Sequence, residues 1–427
     1  MSAIKKILCL NQLKWDMKTH ALSRTPHSFP VRTWRLVLPA MLISVSLSFF
    51  ASAAARGQND IAPAEPNAPP ILKIGSPVPS FSLPGIDDKI HNLKDYASSK
   101  VLVVIFSCDH CPVAQMYEQR IEQLVKDYKG RGVAVVVIMG NDPKAERIDE
   151  LAYSDLGDTL PEMKIRAKFR HFNYPYLYDG ATQSVTSKFG PTATPHLFVF
   201  DEKRILRYEG RIDSNPREEL ATKHEARDAI DALLAGQPVQ VTDMPTPGCS
   251  TKWSYKRAYA AKEMEENNQK PVNLDLASTD DIKTLRANSG TGNLVLVNIW
   301  ATWCAPCRTE FPELEKMIRM YGGRKFQLVT LSINAPDERD KVLGFLKEQH
   351  AFNRNLIFNG NDAADAVKAI GTDWTGGAPY TVLIGTNGEI LYKTSGDLNV
   401  VEVRRAILTN LADDYYIGQH AYWNSTF

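Results

Sequence analysis

Between residues 71 and 411, short unbroken apolar runs alternate with stretches where apolar residues recur every three or four positions. Residues 101–106 and 133–138 are such runs, and an apolar run with no polar alternation predicts a strand covered on both faces. Between them, Val113, Met116, Ile121 and Leu124 mark one face of a helix. Strand, helix, strand is the right-handed crossover of a parallel unit. Residues 141–178 are long and charged and are expected to form a helical insertion. After them Pro195 precedes an apolar run at 197–200, a place where proline is expected only at a strand start or an edge.

The second half repeats the pattern. Residues 294–300 and 326–333 predict strands, 310–320 and 340–350 helices, and 400–411 a closing helix. Asn387-Gly388 between 382–384 and 390–392 predicts a hairpin. Pro379 stands before its strand as Pro195 does. The charged, Ala/Glu-containing stretch 255–269 predicts a surface helix. The division expected is a first domain at 71–258, a connector helix at 259–270 and a second domain at 271–427.

The N-terminus follows neither period. Residues 36–55 are apolar, Arg32 and Arg35 precede them, and Ala51-Ser52-Ala53 offers a small-x-small exit. Residues 1–55 are therefore expected to be a secretory signal, with an uncleaved membrane anchor as the alternative. Four prolines in residues 56–70 predict an extended linker. The location expected is extracytoplasmic, periplasmic or secreted.

The length of 427 residues and 44% hydrophobic content allow each half its own core. With 50 basic against 49 acidic residues the net charge is +1, which argues against a nucleic-acid surface. Of six cysteines, four form two Cys-x-x-Cys pairs, Cys108/Cys111 and Cys304/Cys307. Each pair follows an apolar strand and opens a helix. Free N–H groups and the helix dipole at such an end favour a thiolate, the species that attacks a disulfide. The first cysteine of each pair, Cys108 and Cys304, is the expected nucleophile, and Cys111 and Cys307 are the expected resolving thiols. A zinc site shared by both pairs would need closer spacing, so no metal and no cofactor are expected. His110 is expected to place a cation beside Cys108, making that pair the more oxidising. Electrons are then expected to pass from the second pair to the first. Cys249, a lone thiol, fits either pairing or a structural role, and the structural role is the expectation. Trp303 is expected to pack and to shield the active sulfur.

Residues 108–112 (Cys-Asp-His-Cys-Pro), Thr194-Pro195 and 248–253 (Gly-Cys-Ser-Thr-Lys-Trp) resemble the peroxiredoxin-like (AhpC/TSA, redoxin) branch of the thioredoxin superfamily. Residues 303–308 (Trp-Cys-Ala-Pro-Cys-Arg), Glu310, Pro312 and Pro379 resemble the TlpA/ResA-like membrane-linked thioredoxins. The resemblance implies an α/β protein: two thioredoxin-like folds in tandem, each a central mixed sheet flanked by helices. It implies that Pro195 is cis, faces the cysteines, and lies where backbone pairs with a bound substrate peptide. It also implies that Cys111 aligns with a peroxidatic cysteine, with Cys108 in place of a hydroxyl residue. Many thioredoxins keep a buried acid where Asn298 and Leu102 stand here, so another group or water must take the resolving proton. The function implied is thiol–disulfide exchange, with protein thiols and disulfides as partners. A membrane-bound reductant is compatible with that location. The alternatives are a thiol peroxidase, or a first domain that only binds partners.

Overall fold

The computed structural model describes residues 67–360, 362–371 and 374–425. The expected signal or anchor segment, Cys9 and most of the proline-rich stretch lie outside the described residues. Among the described residues no helix is long and apolar enough to cross a membrane.

The first domain opens with a hairpin of β1 (Ser82–Pro84) and β2 (Ile90–Asn92). Then come β3 (Val101–Ser107), α1 (Pro112–Tyr128) and β4 (Val133–Met139). The expected insertion holds two 3-10 turns, Pro143–Ala145 and Ile148–Tyr153, and α2 (Leu160–Arg170). Next are β5 (Tyr176–Tyr178), α3 (Thr186–Phe189), β6 (Ala193–Thr194), β7 (His196–Phe200) and β8 (Leu206–Gly210). Helix α4 (Glu225–Leu234) and the two-residue β9 (Cys249–Ser250) complete the domain. The main sheet has the order β5-β4-β3-β7-β8, and β9 pairs with β6 apart from it. Strand β3 runs parallel to β4 and antiparallel to β7. Its unbroken apolar sequence has a plain cause. Val101, Val103 and Ile105 face one core, and Leu102, Val104 and Phe106 the other. Burying six such side chains contributes on the order of 10 kcal/mol before the entropy of ordering is subtracted.

Helix α5 (Arg257–Asn268) connects to the second domain. There β10 (Asp275–Ala277), α6 (Thr279–Ala287), β11 (Leu294–Trp300), α7 (Ala305–Tyr321), β12 (Phe326–Ser332) and α8 (Arg339–Glu348) follow in turn. Then come β13 (Arg354–Phe358), α9 (Ala363–Ile370), β14 (Tyr380–Ile384), β15 (Ile390–Ser395), α10 (Val400–Asn410) and α11 (Gln419–Asn424). The sheet order is β10-β13-β12-β11-β14-β15. Strands β14 and β15 form the hairpin that Asn387-Gly388 predicts. Both domains are thus mixed sheets flanked by helices.

The two domains share a polar and apolar seam. Ile148 and Leu151 of the first belong to the same core as Cys304, Phe311 and Leu314 of the second. Tyr321 donates to the Ser154 carbonyl at 2.7 Å. Helix α11 returns to the first domain, where Gln419 Nε2 donates to the Pro112 carbonyl at 3.0 Å and the Tyr422 hydroxyl donates to Glu118 at 2.7 Å. Sequence patterning gave no sign of α11, because six residues are too few to show a period.

Candidate active site

Each sheet delivers a cysteine to the start of the helix after its central strand, but the two deliveries differ in register. Strand β11 ends at Trp300, and the residue capping α7 is Cys304, four positions on. Strand β3 ends at Ser107, and the residue capping α1 is Cys111, again four positions on. The counterpart of Cys304 is therefore Cys111, and Cys108 stands where the second domain has Ala301. This corrects the expectation that Cys108 lies at the helix end. Pro112 fixes the outcome: with no N–H and a fixed φ it suits the first helical position, so α1 cannot begin earlier without loss.

The second site lies near the surface. Cys304 and Cys307 form a disulfide, and the Cys307 N–H points to Cys304 Sγ at 3.3 Å. Both sulfurs are buried, but Ala305 and Pro306 beside them are exposed. Trp303 is 61% exposed, so it does not pack as expected and stands at the rim of the site. Pro379 is cis, and the residues before it, Gly377 and Ala378, are exposed and half-buried.

Asn298, in the place of the absent acid, donates to Glu310 Oε1 and Thr381 Oγ1, each at 3.0 Å. Glu310 follows Cys307 by one turn of α7, and the Leu398 N–H donates to its other oxygen at 3.2 Å. Burial pushes the Glu310 carboxyl up to about 7, against the pull of these hydrogen bonds. A carboxyl raised in this way can take or release a proton near neutral pH, which Asn298 cannot do. The clue in the sequence was a polar Asn298 in an apolar strand, which needs a buried partner. Exchange by the second domain is expected to accelerate as pH rises through about 7, and Glu310→Gln to remove that inflection from its pH–rate profile. An unchanged profile would contradict this role. The fold contribution has the opposite slope. Because the carboxyl is raised, its stabilisation is complete below its ordinary 4.5 and is lost as pH rises through about 7.

The first site is buried and gathers three thiols. Cys108 Sγ lies 3.0 Å from Thr194 Oγ1, and Cys111 Sγ lies 3.5 Å from the Thr194 carbonyl. The Cys249 N–H donates to Cys111 Sγ at 3.3 Å. The Thr194–Pro195 bond is cis, and this turn faces the cysteines as the resemblance implies. Burial alone would raise the Cys111 thiol. Hydrogen bonds from Cys108, Cys249 and the Ala114 N–H, with the charge of His110, outweigh burial and hold it well below the ordinary thiol range. Burial and the hydrogen bond to Cys111 push Cys108 well up. His110 thus supports Cys111 rather than Cys108.

The His110 charge rests on Asp158. His110 Nδ1 lies 2.7 Å from Asp158 Oδ2, and the carboxylate also accepts the N–H groups of Asp109 and His110 and the Asn141 amide. Burial opposes ionisation of Asp158, but these partners hold its carboxyl well below the usual range. Burial lowers His110, and the Asp158 carboxylate more than offsets it, so the imidazole is raised. Nothing in the charged stretch 141–178 singled out Asp158, because its partners lie 48 positions away or more for His110 and Asp109. Cys108, His110 and Asp158 offer ligand atoms within 4.8 Å of one another. Within this cluster His110 and Asp158 pair with each other, and Cys108 lies against Thr194 Oγ1.

Residues 74–209 match the AhpC/TSA family and residues 265–407 match Redoxin. The chain is 32% identical over 142 residues to the thiol:disulfide interchange protein HelX of Rhodobacter capsulatus, covering 33% of this chain and 70% of that one. It is 36% identical over 113 residues to the thiol:disulfide interchange protein DsbE of Escherichia coli, covering 25% of this chain and about half (52%) of that one. The crystal structure of a hypothetical protein, SMc02350 of Sinorhizobium meliloti, is 30% identical with a TM-score of 0.39, covering 43% of this chain and 97% of that one. The chain belongs to the thioredoxin superfamily, as a thiol–disulfide oxidoreductase that joins an AhpC/TSA domain to a Redoxin domain.

Proposed function

We propose that the protein is exported by residues 1–55 and exchanges disulfides through two pairs, Cys304/Cys307 meeting the protein substrates and Cys108/Cys111 exchanging with that pair, with Cys304 and Cys111 as the attacking thiols and Pro379 and Pro195 facing the sulfurs. The observation that carries this reading is the placement of one cysteine in each domain as the cap of the helix after the central strand. Cys304 thiolate attacks a substrate disulfide, forming a mixed disulfide and releasing one substrate thiolate. Cys307 then gives its proton to Glu310 and attacks Cys304 Sγ. The second substrate thiol leaves, and the Cys304–Cys307 disulfide remains. The open backbone before Pro379 suits an extended peptide. The first pair draws electrons from the second, in keeping with the shared core of Cys304, Ile148 and Leu151. An extracytoplasmic site, a membrane tether at residues 36–55 and a membrane-bound reductant fit the same reading.

A thiol peroxidase is the second reading for the first domain. It is favoured by the complete burial of a stabilised Cys111 thiolate, which a small peroxide reaches more readily than a protein does. Insulin reduction and hydrogen peroxide consumption, measured on the same chain with dithiothreitol as reductant, separate the two. The expected result is insulin reduction well above background with peroxide consumption slow. Fast peroxide turnover lost in Cys111→Ser, with no insulin reduction, would replace the first reading by the second.

A further inference from the structure

The edge beside the cis proline of the first domain is already occupied, and by this chain itself. Strand β9 pairs antiparallel with β6, placing Cys249 opposite Thr194 and Ser250 opposite Ala193. That is the edge where the family resemblance puts a substrate peptide. The residue seated there is a cysteine, and its N–H donates to Cys111 Sγ at 3.3 Å.

The fold is built to hold it. Gly248 has φ +132°, and a Cβ there would stand 1.9 Å from the Thr194 carbonyl oxygen, so only glycine permits the close approach. Beyond Cys249, the Thr251 hydroxyl donates to the Pro191 carbonyl at 2.7 Å, and the Lys252 N–H donates to Asn141 at 2.8 Å. Lys252 Nζ pairs with Glu150 at 2.6 Å, and Trp253 is buried. Cys108 and Cys111 are buried, whereas Cys249 is half-buried. Its neighbours Ser250 and Lys252 line a cleft of about 760 Å³.

We propose that Cys249 is a third redox thiol, an internal substrate seated on the peptide-docking edge, which exchanges disulfides with Cys111 and links the buried pair to the surface. The inference rests on the reading of Cys111 as an attacking thiol. The step is balanced. With Cys111 in a mixed disulfide to a group RS, the Cys249 sulfur attacks Cys111 Sγ, the Cys111–SR bond breaks, RSH leaves with the Cys249 proton, and Cys111–Cys249 forms. Cys108 then takes Cys111 back in a second exchange, freeing Cys249.

The test is peptide mapping of the full chain after treatment with oxidised glutathione. Trypsin leaves Cys108 and Cys111 on one peptide, residues 101–120, and Cys249 on another, residues 228–252, so their cross-link is diagnostic. In Cys108→Ser the expected product is these two peptides joined, with Cys249 lost to alkylation. Glutathione retained on Cys111 with Cys249 still alkylatable would overturn the inference and leave exchange at Cys111 standing. No reaction at Cys111 would overturn both. The unaltered chain at limiting oxidant is expected to show the same cross-link beside Cys108–Cys111. Finding only the latter there overturns the inference even if the serine variant does not fold.

Discussion

Cys304→Ser is expected to abolish insulin reduction by the full chain, leaving only the rate of dithiothreitol alone. The contrast in exposure between the two sites favours the second domain as the one that meets protein substrates. Its pair is flanked by exposed Trp303, Ala305 and Pro306, and the backbone before Pro379 carries no paired strand among the described residues. In the first domain all residues from Cys108 to Cys111 are buried, and the matching edge holds β9. A serine at 304 removes the only sulfur at the α7 cap, and an alcohol there does not attack a disulfide at neutral pH. Cys307→Ser is different: Cys304 still attacks, and the unresolved mixed disulfide accumulates. Substantial insulin reduction by Cys304→Ser would move the protein-facing role to the first domain.

Asp155→Ala is expected to give the largest loss of stability. Asp155 is fully buried at the seam between domains, 3.1 Å from Arg166 Nη2 and 2.7 Å from Arg405 Nε. Its carbonyl also accepts Arg404 at 3.1 Å. Removing one partner of a buried pair leaves the other charge unsolvated, which costs about 3–5 kcal/mol. Arg166 is itself fully buried, so water cannot replace the carboxylate. Denaturant unfolding should show the loss, together with easier proteolysis between the domains. A change below about 1 kcal/mol would mean the pair behaves like an exposed one.

What the sequence made legible is what depends on local pattern. The runs at 101–106 and 294–300 announce strands covered twice, and the structure covers them twice. The cysteine pairs announce the chemistry. Pro112 also carries the register of α1, since a proline at the first helical position makes Cys111 the cap, whereas order along the chain, which points to Cys108, does not fix that register. Glu310 was visible as a residue, but not as the partner of Asn298 twelve positions earlier. The remaining features depend on distant contacts. Asp155 meets Arg405 across 250 positions, and β9 is a two-residue strand paired across the fold, so neither leaves a periodic trace.

The central claim is that Cys111 and Cys304 are equivalent attacking thiols. Competitive alkylation of the reduced chain with limiting iodoacetamide, read by sequencing the labelled peptides across pH, tests it most directly. The expected result is Cys304 labelled before Cys307 and Cys111 before Cys108, with Cys111 still labelled at pH values well below the ordinary thiol range. Cys108 labelled first, with Cys111 reacting only at alkaline pH, would contradict it.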